Sequence, residues 1–220
     1  MTAIKETYWS RFVDDYEDRQ AFVAGDDLIL AMMDRLRNEY SLMNVLELGC
    51  GTGLFTEILC TNAQSVKATD FSDEMVAKAI ELREILPNVS FSREDAMHLS
   101  FEDQSFDTVF MANLIHIIAD PAKVIEESNR VLKSGGKMII TSFDIDAMSF
   151  INKIRMASRY IKTFGKVSKD ARKVKTSRKD VERMLVRNSF RILKSESLGT
   201  ITRSMFLIAE KTQITNKSTN

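Results

Sequence analysis

The 220-residue sequence predicts an α/β fold: a doubly wound, mostly parallel seven-stranded sheet flanked by helices. Three observations carry that expectation. From residue 43 onward, β-type runs alternate with stretches of helical periodicity over short connections, the pattern of right-handed strand–helix–strand units. The first β-type run, residues 43–48, ends in Gly49, Gly51 and Gly53. Residues 109–112 form a nearly unbroken apolar run, as suits a central strand covered on both faces.

Taken in order, the elements follow from local chemistry. After the glycine turn, residues 54–63 place Leu54, Ile58 and Leu59 at helical spacing. Residues 65–69 are a second strand stopping at Asp70. Ser72 is the N-cap of the next helix, set by Met75, Val76, Ala79, Ile80 and Leu82 and broken by Pro87. Residues 89–93 are a third strand ending near Asp95, and residues 106–112 a fourth. Asp120 and Pro121 suit the cap and first turn of a helix carrying Val124, Ile125, Val131 and Leu132, which ends at Gly135-Gly136. Residues 137–143 are the fifth strand. The rhythm then changes. Residues 147–164 read as a basic amphipathic helix with Phe150, Ile151, Ile154, Ala157, Ile161 and Phe164 near one stripe. A helix at 177–188, capped by Ser177, precedes strand-like runs at 189–196 and 201–210.

The composition, 44% hydrophobic and 28% charged with 2 Pro and 8 Gly, fits one domain with a real core and excludes collagen-like, low-complexity and disulfide-scaffold classes. With Cys50 and Cys60 the only cysteines, both in apolar surroundings, a reduced cytoplasmic chain is expected. The first residues show neither a basic nor an apolar leader region, and no apolar run approaches the ~20 residues of a membrane span. A net charge of zero hides a split: 13 Lys+Arg against 26 Asp+Glu in residues 1–150, and 18 against 5 in residues 151–220. The basic third is either a solvated face or the mark of an anionic partner.

The spacing of acidic residues around the glycines points to a ligand. Where a parallel strand ends in glycines, the backbone can approach a ligand closely and offer bare N–H groups. Asp70 closes the second strand 21 residues after Gly49, where a carboxylate can hydrogen-bond a ribose diol. A dinucleotide fingerprint would need its third glycine at position 54, which is Leu54. Glu47, two residues before Gly49, would repel a pyrophosphate but suits a cation. A ligand with a ribose, a positive end and no phosphate is implied, and S-adenosylmethionine meets all three requirements.

At this point VLELGCGTG (45–53) resembles motif I of the class I S-adenosylmethionine-dependent methyltransferases. ATDFSDEMVAKA (68–79), residues 93–121, LKSGGKMIITSF (132–143) and residues 177–197 are similar to later motifs of that family, in the family's order. The likeness spans residues 43–210 and is nearest the small-molecule branch grouped with quinone and menaquinone methyltransferases. It implies that the backbone of Gly49 and Gly51 lies against the methionine and ribose, with Cys50 in a slot usually given to a small residue. By the same resemblance Glu47 sits near the ammonium, Asp70 grips the ribose, and Phe71 and Met75 pack on the adenine. Asp95 accepts from the adenine amine, the Ala96 N–H serves a ring nitrogen, and the Asn113 carbonyl holds the ammonium. Read without the family, Asp70 is a helix cap, Asp95 a turn residue, and Phe71 and Met75 are core side chains.

The resemblance also sets the domain plan: residues 1–42 as an N-terminal helical lid, 43–210 as the cofactor-binding domain with a basic helical insertion at about 147–175, and 211–220 as a flexible tail. Tyr8, Trp9, Phe12, Tyr16 and Phe22 either cover the cofactor or pack on the sheet. Methyl transfer from a sulfonium is an in-line displacement that needs no metal, chiefly alignment and exclusion of water. His116 is the candidate base, or else lines the pocket; His98 has no assigned role. Arg155, Arg159, Lys162, Lys166 and Lys169 would meet an anionic acceptor, or a membrane surface beside a lipid-like one. The expected activity is methyl transfer to a small-molecule acceptor; the alternative is a non-catalytic S-adenosylmethionine-binding partner or regulatory protein. Glu47 and Leu54 disfavour an NAD-dependent oxidoreductase. A nucleic-acid methyltransferase is disfavoured by the absence of an ordered aromatic platform and by Asn-Leu-Ile-His at 113–116.

Overall fold

A computed structural model describes residues 7–165 and 176–212. Lys166, Lys169 and residues 213–220 of the expected tail lie outside the described residues. Strands β1 (Asn44–Leu48), β2 (Ser65–Asp70), β3 (Val89–Arg93), β4 (Phe106–Ala112), β5 (Leu132–Phe143), β6 (Phe190–Leu198) and β7 (Ser204–Lys211) form one sheet in the order β3-β2-β1-β4-β5-β7-β6. β1 to β5 pair in parallel, whereas β7 runs antiparallel to both β5 and β6, so the sheet is mixed. The departure from a parallel sheet has a local cause. Only residues 199–203 join β6 to β7, too few for a crossover, and a short link forces an antiparallel pair. Gly199 makes that link feasible: its φ is +79°, and a Cβ there would lie 2.4 Å from the Thr202 carbonyl oxygen.

Helices α1 (Thr7–Ser10), α2 (Tyr16–Ala24), α3 (Asp26–Arg37), α4 (Thr56–Asn62), α5 (Asp73–Arg83), α6 (Pro121–Val131), α7 (Phe150–Phe164) and α8 (Arg178–Arg187) surround the sheet, with single 3-10 turns at Val13–Asp15 and Ile145–Ala147. Their starts are set by side-chain caps. Ser72 Oγ accepts from the Met75 N–H at 3.2 Å, Asp120 Oδ1 from Lys123 at 3.1 Å and Ser149 Oγ from Asn152 at 3.3 Å, while Ser177 and Asp180 form a reciprocal capping box. Each strand sends alternate side chains to opposite faces. Leu46, Val109, Met111 and Ile140 therefore join Val124 and Val131 of α6 and Leu185 of α8 on one side. Val45, Phe110, Ile139 and Phe206 join Leu28 and Met32 of α3 and Leu59 of α4 on the other.

Of the boundaries that differ from the sequence expectation, three have a clear local cause. The helix after the glycine turn begins at Thr56, because the turn closes through Gly53 at φ +92° and consumes Leu54 and Phe55. Leu132 leaves the helix to pair with Phe106, and residues 133–136, including both glycines, fall within an irregularity of β5 rather than beyond a helix end. α7 starts at Phe150 because Ser149 caps it and the Ile145–Ala147 turn precedes it. No described helix is long and apolar enough to cross a membrane.

Candidate functional site

The site forms where the carboxyl ends of β1, β2 and β4 converge, the usual ligand edge of an open α/β sheet. β1 delivers the chain into the glycine turn, and the Cys50 N–H donates to the Thr69 carbonyl at 2.9 Å, tying that turn to β2. Gly49 (φ +69°) and Gly51 (φ +55°) occupy the left-handed region. A Cβ on Gly49 would stand 2.9 Å from Leu114 Cδ1, and one on Gly51 would stand 3.2 Å from Tyr16 Cε1. The backbone is thus held bare where a ligand would approach it.

Two carboxyl groups flank the turn. Glu47, 1% exposed, accepts a 2.6 Å hydrogen bond from Thr56 Oγ1 at the start of α4. Burial raises its pKa to about 7, reinforced by the nearby Asp70 charge and opposed by the Thr56 bond. Asp70, at the end of β2, accepts from the Gly51 N–H at 2.9 Å and from the Ser72 N–H at 3.0 Å. Burial raises its pKa too, against those amide bonds. Cys50 is buried and its thiol is pushed well up by that burial, which makes it inert rather than nucleophilic.

β4 ends at Asn113, whose φ of +53° turns the chain and whose N–H donates to the Thr141 carbonyl at 2.8 Å. The Asn113 Oδ1 atom is buried and has no hydrogen-bond partner. Buried acceptors are rarely left in that condition, because the desolvation cost goes unrepaid. Three residues later, His116 Nδ1 lies 2.8 Å from Ser142 Oγ of β5, and the imidazole stands edge-on to Phe143 at 5.4 Å. Burial lowers its pKa to about 4, so the ring is neutral at pH 7. Asn113 and His116 both line a narrow cavity of about 30 Å³, bordered by side chains of α1, α2 and α7. That volume admits little more than a water molecule, so a ligand enters only when the cover moves.

The cover is an aromatic cluster centred on Phe164. Its ring centroid lies 5.4 Å from Trp9, 5.2 Å from Phe12, 6.3 Å from Tyr16 and 5.4 Å from Tyr160. The Tyr8 hydroxyl donates to the Phe164 carbonyl, and Arg19 Nη1 donates to the Thr163 carbonyl at 3.0 Å. Trp9, Phe12 and Tyr16 therefore meet across α7 rather than on the sheet. Burial raises the Tyr16 pKa, so its hydroxyl stays protonated. The first 42 residues divide in role: Trp9, Tyr16, Gln20 and Val23 face the cavity, whereas α3 buries Leu28, Met32 and Leu36 in the core.

The remaining sequence candidates lie around β2 and β3. Phe71 is 40% exposed, with the Arg93 guanidinium 5.1 Å from its ring centroid, so it is not a core side chain. Met75 is 1% exposed. Asp95 accepts from the Met97 N–H at 2.9 Å and lies 3.2 Å from His98 Nδ1, organising the turn after β3. Ala96 is buried in the core beside it. Glu47, Asp70 and the glycine turn thus form one connected unit, Asn113 and His116 share the cavity, and Phe71 and Asp95 lie on the adjoining strand ends.

Sequence reasoning missed the partners that fix these groups: Thr56 for Glu47, Ser142 for His116, and Glu17, which anchors α2 to the glycine turn. Thr56 carried a local signal, a hydroxyl in the first turn of the helix following the strand. Ser142 and Glu17 carried none, because both contacts exist only once distant segments pack.

Residues 46–140 match a family described as a methyltransferase domain. A phosphatidylethanolamine N-methyltransferase from Cereibacter sphaeroides is 38% identical over 101 residues, 44% of this chain and 49% of that protein. A demethylmenaquinone methyltransferase from Staphylococcus aureus is 37% identical over 100 residues, 44% of this chain and 42% of that protein. This chain spans about half the length of these curated relatives. Among solved structures, a SAM-dependent methyltransferase from Aquifex aeolicus superposes with a TM-score of 0.67 at 20% identity, covering 92% of this chain and 98% of the other, a likeness of fold.

Proposed function

We propose that this chain, whose residues 46–140 match a methyltransferase domain, is a class I S-adenosylmethionine-dependent methyltransferase that transfers a methyl group to a small amphipathic acceptor. The observation that carries this reading is the buried, unpartnered Asn113 Oδ1 on the cavity wall, an acceptor built for a donor the protein does not itself supply. When bound, S-adenosylmethionine supplies an electrophilic methyl on a sulfonium. The residues present fit it. Asn113 Oδ1 and the Glu47 carboxylate would hold its ammonium, a positive charge that favours ionised Glu47 over the neutral form burial prefers. Asp70, pre-aimed by two backbone amides, would take the ribose hydroxyls, and the bare backbone at Gly49 and Gly51 allows close approach.

The acceptor side follows from the cavity wall. Trp9, Phe143, Tyr160 and Phe164 offer apolar surface that excludes water, and His116 is the one imidazole facing it. In the tautomer whose Nδ1–H donates to Ser142 Oγ, the Nε2 lone pair is left to take a proton from the acceptor. An acceptor with an apolar body and one polar nucleophilic atom suits such walls. Relatives named for phosphatidylethanolamine and demethylmenaquinone support a lipid-like example.

Isothermal titration with S-adenosylhomocysteine tests the binding half: Asp70→Ala should weaken affinity by about 1–3 kcal/mol. Transfer of labelled methyl from S-adenosylmethionine to a panel of lipid amines and phenolic or quinol acceptors tests the catalytic half. Absence of binding overturns the reading; tight binding without transfer to any acceptor favours a non-catalytic binding protein.

A further inference from the structure

α7 buries only part of its apolar surface. Its inner face places Phe164 and Tyr160 in the aromatic cover. Its outer face carries Phe150 (77% exposed), Ile151 (68%), Ile154 (55%) and Ile161 (48%). Positions 150, 154 and 161, together with exposed Ala157, recur at intervals of four, three and four, so they form one continuous stripe along the helix. Four large side chains on one exposed helix face is more apolar surface than isolated residues leave in water.

The charges beside the stripe say what covers it. α7 has no acidic residue and four basic ones, Lys153, Arg155, Arg159 and Lys162. On the helical period Lys153 falls along one edge of the stripe, and Arg155 and Lys162 along the other. Among the described residues, no carboxylate pairs with Lys153, Arg155 or Lys162. A second copy docking through the same stripe would bring two sets of cations together with nothing to neutralise them. An apolar stripe between basic edges instead matches a surface that is apolar in depth and anionic at its rim.

We propose that the outer face of α7 docks this protein on an anionic lipid surface, burying Phe150, Ile154 and Ile161 among acyl chains with Lys153, Arg155 and Lys162 at the headgroups. The argument stands on the stripe and its charges and does not depend on methyl transfer. Because the inner face of the same helix closes the cavity, docking would set the cavity cover beside the bilayer.

Co-sedimentation of the full chain with sucrose-loaded vesicles tests this. Phosphatidylcholine vesicles in which a third of the lipid is phosphatidylglycerol should retain the protein at low salt, and vesicles of phosphatidylcholine alone should not. Lys153→Ala and Arg155→Ala should each lower partitioning roughly fivefold. The double variant Ile154→Gln/Ile161→Gln should lower it about tenfold or more with an unchanged thermal midpoint, since both side chains are exposed. The proposal fails if anionic vesicles retain nothing, or if retention is indifferent to the double variant. It fails also if sedimentation shows a dimer that the double variant dissolves, since a second copy would then cover the stripe.

Discussion

Thr52 Oγ1 of the glycine turn donates a 2.7 Å hydrogen bond to Glu17 Oε1 of α2, and the same oxygen lies 2.8 Å from Arg83 Nη2. The segment that covers the cavity is thus fastened to the glycine turn. Arg83, 7% exposed, also faces Glu57 of α4 at 3.0 Å, so a single guanidinium ties the cover to α4. Any ligand that needs the cover open must compete with these bonds.

Replacing Glu17 should therefore loosen the cover without dismantling the sheet. Glu17→Ala is expected to cost about 1–2 kcal/mol locally, reduced from the value for a fully buried pair because Glu17 is 33% exposed. Hydrogen exchange should speed up roughly tenfold over residues 16–24 and stay unchanged in β4 and β5. Equal protection in both proteins would mean that the fastening carries no load.

Asn113→Gly removes the unpartnered carbonyl and also fits the +53° φ that a β-carbon makes costly. The thermal midpoint without ligand should be no lower than that of the parent, while affinity for S-adenosylhomocysteine falls by about 1–3 kcal/mol. A loss of stability with affinity preserved would move the ammonium site elsewhere.

Glu47 gives a pH signature of definite sign. Its pKa is near 4.5 in the unfolded chain and about 7 when folded, so the folded form binds the extra proton between those values. The stability this contributes is complete below about pH 4.5 and lost as pH rises through about 7. Glu47→Gln keeps an acceptor for Thr56 and cannot ionise. At pH 8 it should unfold at a higher temperature than the parent, with at most about 3 kcal/mol gained, yet bind cofactor more weakly. Calorimetry at pH 5 and pH 8 separates the two effects.

His116, with a pKa of about 4, is already neutral throughout the neutral range. Its folding linkage has the opposite sign to that of Glu47: stability is complete above about 6.5 and declines as pH falls toward 4. If it takes the acceptor's proton, His116→Ala should cut kcat by 10²–10⁴ with cofactor affinity intact, and Ser142→Ala should cut it less, by unfixing the tautomer. The rate of the parent should show no limb near pH 6.5. A mild change in His116→Ala would restrict the ring to shaping the cavity.

Much of this architecture was legible because it is written locally. The strand ends at Gly49 and Asp70, the caps at Ser72, Asp120 and Ser177, and the apolar β4 all depend on residues within a few positions of one another. What the sequence did not announce is nonlocal. β7 lies between β5 and β6 through pairings such as Ile140 with Leu207, which no short-range pattern encodes. The His116–Ser142 contact depends on β4 and β5 lying in the register that pairs Ala112 with Thr141. The outward stripe of α7 was visible as periodicity, but periodicity alone does not say which side meets the protein.

Tyr8 and Phe164 stand 156 positions apart, yet a hydroxyl and a carbonyl bind them and four aromatic rings crowd around the second. Two segments far apart in the sequence therefore share a keystone. Shortening the protein from its amino terminus past Tyr16 would be felt less at the cut than at residue 164, where a phenyl ring would be stranded in water and the end of its helix would fray.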